Sequence, residues 1–352
     1  MRSIPRLIVV GAVTSFAIVL SLLGLGGTPA RAASHSIYAV TDLGTLDLGT
    51  PGGESFGFGV NNGGEVAGCS TLGVTSVCDR GFLFSGGNLT NLGTLPGGAY
   101  SVASALNDMG QVVGTSGLTG FNIGLPFGHA FLFSDGQMTD LGTLGGSWSQ
   151  AFAINESGDV AGGAYVAGDV TQHAFLDQAG KMIDINPPGS SISVAFGVNA
   201  SDAVVGLEYH RDARGFLFQN GQVTEFGSNS EAKAINASGE VVGLAGSHAF
   251  AYRNGQISDL GSLGGSAGVS EAQAINDAGQ IVGWSTIAPS PSPIYAFFSN
   301  ATAMVNLNDL IPADSGWYLE SATGINNRGQ ITGYGFHGGQ QRAFLLTPTG
   351  RS

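Results

Sequence analysis

With 352 residues, 12 Lys and Arg against 25 Asp and Glu and a formal net charge of −13, the chain lacks the basic face that phosphate contacts require, which excludes nucleic-acid binding. Only 11% of the residues are charged while 43% are hydrophobic, so charge-driven disorder is excluded as well. The 59 glycines suit tightly turned β structure.

At the amino end, Arg2 and Arg6 precede an uncharged apolar run over 7–25, and Ala30-Arg31-Ala32 supplies small residues for a cut. This is the pattern of a secretory signal at 1–32, although an apolar run of that length also suits an uncleaved anchor. The expected localisation is secreted, periplasmic or cell-surface, with no membrane span after signal cleavage. Removing 1–32 takes away Arg2, Arg6 and Arg31 and no acid, which leaves 9 basic and 25 acidic residues and a formal charge of −16.

Next come Thr41-Asp42-Leu43-Gly44-Thr45-Leu46, and then a repeat. Aligned on their Asn, the copies centre on Asn61, Asn107, Asn155, Asn199, Asn236, Asn276 and Asn326, at intervals of 46, 48, 44, 37, 40 and 50 residues. That period fits one propeller blade. An aliphatic residue precedes each Asn, and the second and fourth residues before it are always Ala or Gly, which marks a crowded strand. Each Asn block leads into a Val/Ile strand ending in Gly. A Phe strand follows, as in Ala130-Phe131-Leu132-Phe133, then a turn and a strand like Met138-Thr139-Asp140-Leu141-Gly142. Four short extended segments per unit read as an antiparallel meander, labelled A (ending at the Asn), B, C (the Phe strand) and D.

The last unit, after Ala343-Phe344-Leu345-Leu346, runs out before a D strand, whereas 38–46 is a D strand with no A, B or C before it. The two orphans complete each other. The expectation is therefore an all-β, seven-bladed β-propeller of four-stranded antiparallel blades closed by an N-terminal strand, which removes the exposed edge of an open stack; a linear solenoid would want capping units instead. Units fall near 54–98, 99–146, 147–190, 191–229, 230–265, 266–316 and 317–349, in a single domain over 33–352.

The combined pattern, Ile-Asn-x-x-Gly-x-Val-x-Gly, His-Ala-Phe-Leu and Thr-Asp-Leu-Gly-Thr-Leu-Gly-Gly, resembles the bacterial extracellular HAF-repeat family from about 38 to 348. His129, His173 and His248 match the named histidine, while Gly81, Gly215, Tyr295 and Arg342 depart from it. The resemblance implies an exported repeat protein and carries no catalytic residues.

In such blades the A-to-B and C-to-D turns share one face of the ring, and these are short and uniform. The B-to-C and D-to-A connections share the other, and they vary widely, over 70–80, 115–128, 163–172, 207–214 and 286–293. Function usually sits on variable loops held by a rigid scaffold, so this loop-rich face is the expected binding face. It gathers Tyr100, Phe121, Phe127, Trp148, Tyr165, Tyr209, Trp284, Trp317 and Tyr318, which could stack on sugar rings, anchor a protein, or pack between blades. Cys69 and Cys78 in the first B-to-C connection are expected to form a disulfide.

Candidate chemistry is sparse. The seven Asn are too regular for an active site and suit turns. His129, His173 and His248 sit at equivalent positions around a ring and should not reach one metal. His210, with Arg211, Asp212 and Arg214, is a more individual cluster, read as a solvated charged loop; no metal site and no cofactor are expected. Gly53-Glu54-Ser55-Phe56-Gly57 and Gly264-Gly265-Ser266-Ala267-Gly268 match G-x-S-x-G but precede strands, where that motif needs a strand-to-helix elbow. Asn155-Glu156-Ser157-Gly158-Asp159 lacks the alternating acids of a calcium loop. Among carboxylates, Glu54, Glu231, Glu271 and Glu320 cluster at the starts of A strands, where they solvate the rim or act on a polysaccharide. The expected function is an exported, non-enzymatic propeller whose loop-rich face binds a protein or glycan partner. The alternatives are a secreted carbohydrate-active enzyme using Glu231, Glu271 or Glu320, and a structural envelope protein.

Overall fold

The computed structural model describes residues 37–46, 53–72, 78–117, 128–289, 292–300 and 303–350; the segment 1–32 expected to be an export signal, Phe121 and Phe127 lie outside them. These residues form seven four-stranded antiparallel sheets, six of them built from strands consecutive in the chain. The A strands are Ser55–Val60, Tyr100–Leu106, Gly145–Ile154, Ile192–Val198, Ser230–Ile235, Ser270–Ile275 and Trp317–Ile325. In the seventh sheet, Tyr38–Asp42 pairs antiparallel with Gln340–Pro348, setting Tyr38 opposite Pro348 and Asp42 opposite Phe344. The two ends of the chain thus share a blade, and the ring is shut by the N-terminal strand.

Each A strand carries a bulge three residues before its Asn, as between Ala195 and Gly197. The bulge throws the preceding carbonyl onto strand B, which explains the Gly at the third position of every B strand, where the sequence pattern put the strand's end but the strand runs on. A Cβ on Gly206 would lie 2.0 Å from the Val194 carbonyl oxygen and 2.8 Å from the Phe216 ring, and Gly68, Gly114, Gly162, Gly243, Gly283 and Gly333 face the same carbonyl contact. The Ala/Gly pair is explained by neighbouring blades: a Cβ on Gly197 would stand 3.3 Å from the Ala234 Cα, and one on Gly324 would stand 3.1 Å from the Phe58 oxygen. The Phe residues of the C strands, Phe82, Phe131, Phe175, Phe216, Phe250, Phe297 and Phe344, are fully buried. They pack against the small residues of an adjacent blade, Phe131 against Ala67 and Phe344 against Val282, so the core lies between blades rather than at one centre.

The Asn residues build turns, as their sequence context implies, and do more. Each Oδ1 accepts from the backbone N–H four residues on. Gly takes positive φ at the turn's end, except in blade 4, where Asp202 does so at 57°. Each Nδ2 then donates to the carbonyl of the next Asn, from Asn61 to Asn107 and onward until Asn326 donates to Asn61, at 2.7–3.2 Å. Seven buried side chains so linked make a closed circle, which places the A strands innermost. The D strands, with exposed patterns such as Gln256–Gly261, lie outermost.

At the other end of the A strands, serines tie consecutive blades. Ser55 Oγ donates to the Gly44 carbonyl and accepts from the Ala343 N–H, so it grips both halves of the shared blade at once. Ser101, Ser149, Ser230 and Ser270 repeat the arrangement. This removes Ser55 from any role as a nucleophile, and Ser266 lies in a single 3-10 turn, Gly265–Ala267, rather than at a helix elbow.

Candidate binding face

Cys69 and Cys78 are disulfide-bonded, with Cα atoms 5.4 Å apart, and close the first B-to-C connection on the loop-rich face. Histidines at the head of strand C meet the Asp of strand D: His129 with Asp140 at 2.8 Å, His173 with Asp184 at 2.7 Å and His248 with Asp259 at 3.0 Å. Register assigns the same places in blade 4 to Arg214 and Glu225, an ion pair at 2.5 Å. The His of the repeat is therefore a within-blade partner for the repeat's Asp.

The candidate aromatics divide. Tyr100 and Trp148 are buried, and Trp148 packs on Tyr165 with ring centres 5.5 Å apart. Tyr165, Tyr209, Trp284, Tyr295, Trp317 and Tyr318 are half-buried. Trp317 stacks on His337 at 4.8 Å with nearly parallel planes. Tyr318 sits edge-on to Tyr295 and donates its hydroxyl to the Ile294 carbonyl at 2.6 Å.

Glu231, Glu271 and Glu320 belong to one network, while Glu54 lies apart on blade 1, its pKa raised by burial and lowered in part by Arg342. The bulge residue of blade 5, Lys233, reaches Glu231 at 2.5 Å and Glu271 at 3.3 Å, and its ammonium lies 4.7 Å from the centre of the Phe196 ring. Burial pulls its pKa down, but the Glu271 and Glu231 charges more than offset this and leave it raised. Phe196 in turn packs edge-on to Phe152, so the bulge residues of blades 3, 4 and 5 touch in sequence around the axis. Burial pushes Glu320 up to about 7, against the bond it accepts from Gln341 at 3.0 Å. Burial also pushes Tyr334 up to about 12, with the Glu320 and Glu271 charges adding to the rise. Tyr318 is raised first by burial and then by Tyr295 and Glu320, and Tyr209 by burial and Glu231. Glu231, Lys233 and Glu271 thus form one bonded triad across blades 5 and 6, and the Glu271 and Glu320 charges are both felt at Tyr334 on blade 7.

His210 lies in the blade 4 B-to-C loop, and two residues outside the cluster read from the sequence stand beside it, Glu208 from strand B and Glu225 from strand D. Repeat alignment holds the signal for Glu208: two residues after the strand-B Gly, the other units carry Ser70, Ser116, Ala164, Ala245, Ser285 and Gly335. No comparable signal marks Lys233 or Tyr334, whose positions differ from blade to blade. Among the described residues no helix is long and apolar enough to cross a membrane.

No family model matches the chain, and no curated protein does. Solved structures that resemble it include a puromycin-hydrolysing peptidase from Mycobacterium tuberculosis, at a TM-score of 0.55 and 9% identity, over 84% of this chain and 51% of that one. The β-propeller domain of the Trilobed protease from Pyrococcus furiosus, described as having an open velcro topology, matches at a TM-score of 0.53 and 9% identity, over 85% of this chain and 96% of that one. This chain spans about half the length of the peptidase. At such identity the likeness shows the propeller fold alone, and the present ring differs from an open one in pairing Tyr38–Asp42 with the last strand.

Proposed function

We propose that the chain is an exported repeat protein of the HAF type that binds a glycan through its loop-rich face, without a cofactor and without turning it over. What supports this is the placement of half-buried aromatics beside carboxylates on blades 4 to 7: Tyr209, Trp284, Tyr295, Trp317 and Tyr318 alternate with the half-buried Glu231 and Glu320 and the buried Glu271. Sugar rings take apolar stacking on one face and hydrogen bonds at their edges, and this array offers both. A protein partner would meet the same surface with a larger, flatter footprint. Glycan-array binding by the purified chain tests it. Tyr209→Ala and Trp284→Ala should weaken the captured glycan at least tenfold, while Glu231→Gln and Glu271→Gln, which keep the hydrogen-bonding shape, should leave binding within about threefold. Array-wide silence would remove the glycan.

One observation favours a second reading. Burial pushes the Glu320 carboxyl up to about 7, which suits the general acid that glycoside cleavage employs, and Glu271 lies on the neighbouring blade. Release of reducing ends from a bound polysaccharide, lost in Glu320→Gln with binding retained, would establish the enzyme and displace the non-enzymatic reading.

A further inference from the structure

We propose that Glu208, His210 and Glu225 form a binding site for one divalent transition-metal ion on the outer half of blade 4, apart from the axial network. In blades 1, 2 and 6 the position of Glu208 is a serine that hydrogen-bonds backbone across a connection: Ser70 accepts from Leu46, Ser116 from Leu95 and Ser285 from Leu263. Glu208 is fully buried instead, and neither carboxylate oxygen makes a hydrogen bond among the described residues. A buried carboxylate with no donor is expensive unless a cation meets it.

The nearest group is His210, whose Nε2 stands 3.4 Å from Glu208 Oε2 and 3.7 Å from Glu225 Oε1. One donor atom from each of the three residues lies within 4.8 Å of the other two. An ion bound at about 2.0–2.2 Å wants its donors roughly 3–3.5 Å apart; both His210 separations lie within a few tenths of an ångström of that range, and the two carboxylates, within 4.8 Å of each other, close the third side on binding. Outer contacts already hold the donors. Arg214 engages the other oxygen of Glu225 at 2.5 Å, leaving Oε1 toward His210, and Asp212 holds Arg214 at 3.1 Å, so the guanidinium is itself balanced. One imidazole nitrogen and two carboxylates suit Zn2+ and its neighbours better than Ca2+, which takes oxygen alone. Three protein ligands leave a position open, and beside it lies a recess of about 350 Å3 lined by His210, Arg211, Asp212, Arg214 and Glu225, able to admit water or an anionic ligand.

The site stands independently of the glycan reading. Calorimetric titration of the chelator-treated chain with Zn2+ should show one ion bound per chain, and Glu208→Gln and His210→Ala should each weaken binding at least tenfold. His248→Ala, which removes a surface histidine paired with a carboxylate on blade 5, should leave it unchanged. His210 is partly exposed in a loop, so its variant folds even where the Glu208 variant does not, and it decides the matter. Absence of saturable uptake by the parent chain, or equal uptake by His210→Ala, would overturn the proposal and leave His210 as an ion-pair partner only.

Discussion

Replacing Asn199 separates its two roles, because blade 4 has the simplest copy of the Asn ring. Its Nδ2 donates to the Asn236 carbonyl at 3.1 Å, and its Oδ1 accepts from the N–H groups of Ser201 at 3.0 Å and Ala203 at 3.1 Å. Ala203 stands where the other units carry Glu, Gln or Asp, so no side chain four residues on can take up a freed donor. Asn199→Asp keeps the oxygen that builds the turn and turns a carboxylate oxygen toward a buried carbonyl. Asp builds such turns as well as Asn does, so a turn-only role predicts a change under about 0.5 kcal/mol. A structural ring predicts the loss of one inter-blade bond, about 1 kcal/mol, plus the unfavourable meeting of two acceptors, together roughly 2–3 kcal/mol. Asn199→Ala loses the turn bonds too and leaves the buried Ala203 N–H unpaired, for roughly 2–4 kcal/mol.

At some 2–4 °C per kcal/mol for a domain of this order, both variants should melt about 5–10 °C below the parent, read by circular dichroism. An Asn199→Asp protein melting within 1 °C of the parent would show that the circle of side-chain bonds contributes nothing and that each Asn serves its own turn alone.

Burial lifts Glu320 from an ordinary 4.5 to about 7, so between those values the unfolded chain releases a proton that the folded chain keeps. Its contribution is complete below about pH 4.5 and is lost as pH rises through 7, about 2 kcal/mol once solvent contact with the half-buried side chain is allowed for. Glu320→Gln should therefore stabilise the chain at pH 8 and change little at pH 4; urea midpoints equal at both pH values would contradict it. Deleting 37–46 should strip the partner from Gln340–Pro348 and bare a sheet edge, giving association on size-exclusion chromatography that a synthetic 37–46 peptide reverses. A monodisperse, equally stable deletion would mean that closure does not hold the ring together.

The architecture was legible because it is written in repetition. Seven copies average out local ambiguity, and a lone D-like segment ahead of the first repeat has one geometric use, which the pairing of Asp42 with the strand of Phe344 fulfils. Glycines and alanines around each Asn were readable as crowding because steric exclusion acts residue by residue. Particular hydrogen bonds from one blade to the next were not readable. That Asn61 donates to Asn107, 46 residues on, depends on a ring radius that no local pattern encodes. Tyr100 and Trp148 show the same limit in reverse: loop placement puts an aromatic on the right face, while its depth is set by the blade beside it, and both are buried.

The individual sites were hardest for a related reason. A repeat alignment is a template of what the fold needs, so departures from it carry the information about function, and only some departures are visible. Glu208 is visible, since a carboxylate replaces serine, alanine or glycine at a fully buried place. Lys233 is not, because the bulge position also holds Phe58, Ser104, Phe152, Phe196, Gln273 and Thr323 and shows no preference to depart from. Yet that freedom is itself physical. The bulge turns one residue per blade toward the axis, where it meets the bulge residues of neighbouring blades, as Phe152 meets Phe196 and Lys233 meets Phe196, and no single residue type is required there. The lining of blades 3 to 6 is accordingly mixed, two Phe followed by Lys and Gln, so a ligand at the axis would meet a different side chain from each blade.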